Sequence, residues 1–186
     1  MPVEIEAKMK VDDLDKVRQR LRALSAIESK NIDEINTFLD SADRALLAKD
    51  EGLRVRRNRD ARTSQDTIVI TFKGARQTGA VKQREELELT IEDYDDAIAL
   101  LSRLGYAPML TFEKKRQTWQ IDNCEIALDD LPELGTFVEI EGPDEICVLR
   151  VRERLGLNEV PLIKDSYAAL VQRHRDTARA REFDGT

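Results

Sequence analysis

Histidine and cysteine are nearly absent from this sequence. The 186 residues include one histidine, His174, and two cysteines, Cys124 and Cys147, which are far apart and form no C-x-x-C pair. The chain therefore lacks the residues for a zinc site and for a catalytic pair of the Ser–His or Cys–His type. We expect the two cysteines to be reduced thiols. Any chemistry must use carboxylates, lysines and arginines.

Aromatic residues, positive net charge and long apolar runs are also lacking. Aromatics make up 5% of the chain, the net charge is −7, and the pI is near 5. Single-strand binders stack bases on aromatic rings and duplex binders present basic surfaces, so nucleic acid is not an expected partner. The N-terminus lacks the apolar run of a signal peptide, and no stretch approaches the roughly 18 apolar residues of a membrane span. We expect a cytoplasmic protein with no membrane partner.

Charged residues are what the chain has in excess. They make up 36% of it, against about 25% in an average globular protein. The length fits one domain with a substantial core. We expect residues 1–175 to form that single domain and the polar residues 176–186 to form a frayed tail. The oligomeric state stays open.

Most predicted strands alternate charged and apolar residues with a period of two. In the first strand, 3–11, Glu4, Glu6 and Lys8 share one face and apolar residues share the other. Further strands are predicted at 32–40, 53–59, 67–74, 81–91, 110–121, 124–128 and 136–141. Helices are predicted at 14–24, 92–104, 144–155 and 164–175, and 41–51 is a loop with a helical turn. This order predicts an α+β fold, an antiparallel barrel of about eight strands with helices packed outside.

The charged faces have two interpretations. A single such strand is typical of a sandwich whose outer face is solvated. Here the pattern recurs on nearly every strand, and the apolar stripes of the helices need the apolar strand faces as partners. The charged faces would then point into the barrel, which is costly unless water, metal and a multiply charged ligand fill it. The recurrence favours a binding site inside the barrel.

The residue types suggest the ligand. Arginine and lysine suit an extended polyanion, whereas carboxylates are hard oxygen ligands that suit Mg²⁺ or Mn²⁺. The basic candidates are Lys8, Arg54, Arg56, Lys73, Arg84, Lys114 and Arg116. The acidic candidates are Glu4, Glu6, Glu86, Glu88, Asp129, Glu139 and Glu141. Together they predict the binding of a metal-bound polyphosphate.

Several short motifs follow one another along the chain. They are E-x-E-x-K at 4–8, N-T-F-L-D at 36–40, L-R-V-R-R at 53–57, T-F-K-G at 71–74, R-E-E-L-E at 84–88, K-K-R at 114–116, L-D followed by L-G-T-F-V-E-I-E within 128–141, and S-Y-A-A-L at 166–170. In this order they resemble the motifs of the CYTH domains, the triphosphate tunnel metalloenzymes. Their residues are most similar to those of the class IV adenylyl cyclase branch. Asn36 and Leu39 depart from the pattern, because the family commonly has an acid and an aromatic there.

The resemblance implies an eight-stranded tunnel in which the basic candidates hold a triphosphate. It implies one Mg²⁺ or Mn²⁺ on the phosphates and a second metal near the nucleophile. Glu4, Glu6 and Lys8 would be catalytic, and Glu4 and Glu6 would bind metal together with Glu139 and Glu141. The acids Glu86, Glu88 and Asp129 would either bind metal or orient their basic neighbours.

The reaction stays open between two classes and a third possibility. A cyclase would convert ATP to cyclic AMP and pyrophosphate, and the branch resemblance favours it. A triphosphatase would hydrolyse inorganic triphosphate, thiamine triphosphate or a nucleoside triphosphate at the same charged site inside the barrel. A non-catalytic polyphosphate-binding module is the remaining alternative. Nothing in the sequence specifies an adenine pocket.

Overall fold

The computed structural model describes residues 3–77 and 81–184. Within these ranges it has eight strands and five helices. The strands are β1 (Val3–Lys10), β2 (Ile27–Asp40), β3 (Gly52–Asp60), β4 (Asp66–Lys73), β5 (Lys82–Ile91), β6 (Ala107–Ile121), β7 (Cys124–Leu131) and β8 (Gly135–Glu141). The helices are α1 (Leu14–Ala23), α2 (Ala45–Ala48), α3 (Tyr94–Arg103), α4 (Glu145–Arg154) and α5 (Tyr167–Asp184).

The strands form one closed antiparallel barrel, which confirms the predicted fold class. Their order around the barrel is β1, β5, β4, β3, β2, β6, β7 and β8. The first strand closes the barrel by pairing with both β5 and β8. Since successive side chains of a strand point to opposite faces, every second residue points into the barrel.

The helices pack on the outer face of the barrel. Met9 of β1 and Ile126 of β7 are fully buried in one apolar cluster with Leu21 of α1 and Val148 of α4. A second cluster lies beneath α3. Burying one such side chain contributes about 1.5–3 kcal/mol. The apolar strand faces are therefore covered from outside, and the charged faces remain for the interior.

Aspartates begin three of the helices. The Asp13 side chain accepts hydrogen bonds from two backbone amides of α1, Asp93 caps α3, and Asp144 caps α4. Each cap satisfies backbone donors that have no partner within the helix and favours the positive end of the helix dipole. These starts agree with the predicted ones to within two residues.

The C-terminal segment differs from the prediction of a frayed tail. Helix α5 begins at Tyr167 and continues to Asp184, whereas 185–186 lie outside the described residues. Residues 164–184 contain no glycine or proline to end the helix. The Gln172 side chain also donates to Asp176 at 2.8 Å, one helical turn further on. None of the helices in the described ranges is long and apolar enough to span a membrane.

Candidate functional site

The barrel encloses a cavity of about 940 Å³ that opens to the surface. All the site residues predicted from the sequence line it except Asp129. Those lining it are Glu4, Glu6, Lys8, Arg54, Arg56, Lys73, Arg84, Glu86, Glu88, Lys114, Arg116, Glu139 and Glu141. These residues come from six strands and reach one space because charged residues occupy every second position of each strand.

Lys82 joins two of the predicted acids on β1. Its Nζ lies 2.6 Å from Glu6 Oε1 and 3.4 Å from Glu4 Oε2. Lys73 Nζ lies 3.6 Å from Glu4 and also pairs with Glu86. Burial disfavours the charge of Glu4, but Lys73 and Lys82 outweigh it and hold the pKa of that carboxyl below its ordinary value. Lys73 and Lys82 thus hold the side chains of Glu4 and Glu6 close together on one side of the cavity.

Carboxyl groups crowd one another at this part of the cavity. Burial and a hydrogen bond with Glu4 raise the pKa of Glu86 to about 7. Partial desolvation, together with the nearby Glu4 and Glu6, raises the pKa of Glu141 to about 7. Neighbouring carboxyl groups oppose each other's ionisation because two negative charges close together repel. The cluster has more negative charge than its lysines neutralise, and a bound cation would relieve it.

A second cluster surrounds Glu34, a residue of β2 whose side chain is fully enclosed. Arg56 Nη1 and Lys114 Nζ each lie 3.5 Å from its carboxylate, and Arg116 Nε lies 3.6 Å away. Asn36 donates from Nδ2 to Glu34 Oε2 at 3.2 Å. Burial opposes the charge of Glu34, but Lys114 and Arg116 hold its pKa below the ordinary value. One acid thereby gathers three bases from two strands.

Asp129 lies behind the cavity wall and is 0% exposed. Arg116 donates to it twice, from Nε at 2.7 Å and from Nη2 at 2.6 Å. Lys114 Nζ and the Tyr167 hydroxyl donate to its Oδ2 at 3.1 and 2.8 Å. With both oxygens occupied by donors, the geometry favours a role in orienting Arg116 and Lys114 over a role as a metal ligand.

Three guanidinium groups keep an unused donor inside the cavity. The Nε atoms of Arg54, Arg56 and Arg84 are buried and have no hydrogen-bond partner within the described part of the chain. A buried donor without a partner costs about 1–3 kcal/mol. Burial and the neighbouring Arg56 also lower the pKa of Arg54 to about 10, so it is still protonated at neutral pH. The three arginines line the cavity, where their positive charge would attract anionic oxygens.

The charges continue to one mouth of the cavity. Arg84 Nη2 donates to the backbone carbonyl of Asp50 at 2.8 Å, and Arg76 Nε lies 2.8 Å from the Asp50 carboxylate. Lys8 Nζ donates to the backbone carbonyl of Asp165 at 3.0 Å. The loops before β3 and before α5 are thereby tied to bases of the barrel wall.

The donor set fits a divalent cation that enters with phosphate. Among the described residues, no three acidic, histidine or cysteine side chains converge into a metal site of protein ligands alone. Mg²⁺ is usually held by only one or two carboxylates together with substrate phosphates and water, so such a group is not required. Since most bases of the cavity are paired with acids, a triphosphate alone would bring a large excess of negative charge. The carboxylates of Glu4, Glu6, Glu86 and Glu141 would hold the neutralising cation.

Sequence reasoning missed three residues of the site. Lys82 and Glu34 each stand two positions before a residue singled out from the sequence, so the period of two placed them on the inward face. Tyr167 belongs to the S-Y-A-A-L motif, and its ring lies 4.2 Å from Lys8 Nζ and 4.8 Å from Lys114 Nζ. Such cation–π contacts hold both ammonium groups in place.

Comparison with known proteins gives a match to the CYTH domain family over residues 2–167. A Methanocaldococcus jannaschii protein provisionally named an adenylate cyclase is 27% identical over 177 residues, covering 90% of this chain and 98% of that protein. Adenylate cyclase CyaB of Aeromonas hydrophila is 26% identical over 179 residues, covering 91% of this chain and 88% of that protein.

Solved structures share the fold. A Pyrococcus horikoshii protein superposes with a TM-score of 0.79 at 26% identity, covering 91% of this chain and 99% of its own. A Hippeastrum protein, provisionally named an adenylyl cyclase and described as having a dominant triphosphatase activity, superposes with a TM-score of 0.71 at 19% identity, covering 91% and 95%. The second likeness concerns the fold alone.

Proposed function

The chain belongs to the CYTH domain family, and on that premise we propose that it is a metal-dependent enzyme that converts ATP to cyclic AMP and pyrophosphate. The observation that carries the proposal is that Arg54, Arg56 and Arg84 line a cavity that also holds crowded carboxylates. Two relatives named as adenylate cyclases support the choice of reaction.

The bases would hold the triphosphate as an extended chain. Arg54, Arg56 and Arg84 would offer their guanidinium donors to phosphate oxygens, with the planar geometry that favours paired hydrogen bonds. Lys8, Lys73, Lys114 and Arg116 would add charge around the chain. Glu34 and Asp129 keep several of these groups in place through the contacts described above. Such fixed charges cost no reorganisation when the substrate reacts.

The acids of the cavity would hold the metal. Glu4, Glu6, Glu86 and Glu141 are the proposed ligands, and Glu88 and Glu139 are further candidates, although Glu139 already pairs with Lys8 and Arg116. A Mg²⁺ or Mn²⁺ ion there would neutralise phosphate charge and polarise the reacting oxygen atoms. Removing the acids should therefore abolish turnover without removing the positive charge that binds phosphate.

The reaction requires the ribose 3′-hydroxyl to reach the α-phosphorus. Its oxygen bonds to that phosphorus, the bond to the oxygen bridging the α- and β-phosphates breaks, pyrophosphate leaves, and the hydroxyl proton passes to a carboxylate or to water. The attacking oxygen must approach to about 3–3.5 Å, in line with the leaving oxygen. The bound triphosphate and ribose would have to supply this alignment, since phosphoryl transfer depends mainly on positioning and charge.

A product assay tests the proposal. Purified protein is incubated with ATP and Mn²⁺ or Mg²⁺, and separately with inorganic triphosphate, and all products are resolved. We expect cyclic AMP and pyrophosphate from ATP, with inorganic triphosphate acting as a competitive inhibitor. Orthophosphate from inorganic triphosphate, with no cyclic AMP from ATP, would overturn the cyclase proposal and select a triphosphatase that uses the same cavity.

A further inference from the structure

One side of the cavity is apolar. Phe38, Leu47, Met109 and Leu110, here called the apolar wall, line the same cavity as the charged residues. Leu47 is 67% exposed, so its side chain is not part of the packed core. A triphosphate has no apolar surface, and the wall would contribute nothing to its binding. Phe38 and Leu110 also pack against a buried apolar cluster, whereas the exposed Leu47 would fit a ligand that has an apolar part as well as phosphates.

The apolar wall adjoins the bases that face the cavity. Phe38 is paired with Arg54 across β2 and β3 and with Leu110 across β2 and β6. Residues paired in this way lie on the same face of the sheet, so Phe38 and Leu110 stand beside the Arg54 guanidinium. The Phe38 ring stacks on Phe112, with centroids 6.1 Å apart and planes at 13°. The orientation of the ring is therefore fixed by packing.

Leu47 is held in place although it is exposed. The buried Asp40 carboxylate, at the end of β2, accepts hydrogen bonds from the backbone amides of Leu46 and Leu47, both at 3.0 Å. It also accepts one from the Ser41 amide at 2.8 Å. These contacts anchor the short helix α2 at the cavity, so the position of Leu47 follows from the end of a barrel strand.

We propose that the apolar wall binds a flat heteroaromatic ring carried by the triphosphate, and it is the adenine of ATP if the proposed function holds. The inference rests on that proposed function and adds to it a determinant of specificity. A cavity of about 940 Å³ is in the range of pockets that enclose a whole organic ligand, roughly 300–1,000 Å³. Inorganic triphosphate would leave the apolar wall uncovered, and a nucleotide would cover it.

Binding measurements on matched variants test the inference. The double variant Leu47→Ser/Met109→Ser removes apolar surface from the wall without changing a charge. The control is Leu104→Ser, because Leu104 is 65% exposed and does not line the cavity. Phe38→Leu is a second variant, which keeps an apolar side chain but removes the ring. Titration calorimetry with Mn²⁺ gives Kd for an ATP analogue with a methylene bridge between its α- and β-phosphorus atoms, for thiamine triphosphate and for inorganic triphosphate.

The wild type should bind the ATP analogue more tightly than inorganic triphosphate. The double variant should weaken the analogue roughly fivefold to tenfold and leave inorganic triphosphate within about twofold. Phe38→Leu should weaken the analogue in the same selective way, and the control should change neither. Selective loss of thiamine triphosphate instead would support the ring site and contradict ATP as its occupant.

Two results would overturn the inference, and they differ from failure of the proposed function. Equal losses for all ligands, or no loss for either organic triphosphate, would show that the wall does not bind a ring, while triphosphate binding itself would stand. No binding of any triphosphate to the wild type would contradict the proposed function, and the inference with it.

Discussion

Buried carboxylates in this barrel are of two kinds. Glu34 and Asp129 are enclosed by bases that point at them, with contacts between 2.6 and 3.6 Å. Glu4 and Glu86 instead share a hydrogen bond with each other, and Glu4 and Glu6 crowd Glu141. The first kind can hold bases in position, and the second kind can receive a cation.

Replacing Glu6 by Gln should abolish Mg²⁺- or Mn²⁺-dependent turnover while the fold persists. The substitution removes a proposed metal ligand and keeps the shape of the side chain. Lys82 would keep its contact with Glu4 at 3.4 Å, and the crowding of Glu141 by Glu6 would be relieved. Turnover as a function of metal concentration and a thermal melt measure the two effects separately.

Glu113→Gln is the matched control for that substitution. Glu113 lies on β6 with its side chain exposed, at the position before the inward-facing Lys114. It should leave turnover and its metal dependence unchanged. Wild-type turnover in the Glu6 variant would contradict the assignment of the β1 acids to the metal.

The inward position of a charged residue could be predicted from the period of two, but its partner could not. Glu34 meets Lys114 because β2 and β6 pair in one particular register, and that register depends on the closure of the whole barrel. Asp129 shows the same limit, since the sequence placed it among possible metal ligands and left its role open. Only the fold brings Tyr167 to its second oxygen atom.

The turn between β6 and β7 could be predicted from its own two residues alone. Asp122 and Asn123 both have positive φ, 52° and 62°, as a tight hairpin turn requires. The dipeptide predicted the turn without any tertiary information. Asn tolerates this backbone region and glycine adopts it freely, whereas alanine does not.

Asn123→Ala should lower the free energy of unfolding by about 1 kcal/mol, because the left-handed conformation is costly for a residue with a Cβ. Asn123→Gly should be close to neutral, since glycine tolerates the positive φ. Urea denaturation of both variants measures the difference. If alanine and glycine were equally stable here, backbone conformation would not be what fixes this hairpin.

Longer elements were predicted less well at their ends. Strand β2 begins at Ile27, five residues before the predicted start, and its first residues are largely exposed. They show no clear alternation, because pairing with β6, from Ile27 opposite Gln120 onward, extends the strand through backbone hydrogen bonds. Helix α5 extends past its predicted end because the polar residues that follow include no glycine or proline to end it.

The barrel as a whole gathers positive charge in a chain that is acidic overall. The net charge is −7, yet closure of the barrel gathers Arg54, Arg56 and Arg84 in one cavity. The alternation of charged and apolar residues predicted that these bases would point into the barrel. It could not predict the apolar wall, because Leu47 and Leu110 come from segments far apart in the chain and line one cavity only in the folded barrel.

The adjacent residues Arg56 and Arg57 on β3 offer a matched comparison of inside and outside. Arg56 points into the cavity, with its Nε buried and unpartnered. Arg57 lies on the opposite face, with its guanidinium 5.6 Å from the ring of Tyr94. Truncating either one to alanine removes the same charge and nearly the same volume. Any difference in ligand binding therefore reports which face of the barrel holds the site.

Titration calorimetry makes this comparison. The wild type, Arg56→Ala and Arg57→Ala are each titrated with inorganic triphosphate in the presence of Mn²⁺. Arg56→Ala should weaken binding roughly 100-fold, the loss of about 3 kcal/mol expected for a desolvated charged contact. Arg57→Ala should stay within about twofold of the wild type, because Arg57 lies on the outer face and does not line the cavity. Equal losses in the two variants, or no loss in either, would contradict a triphosphate site inside the barrel.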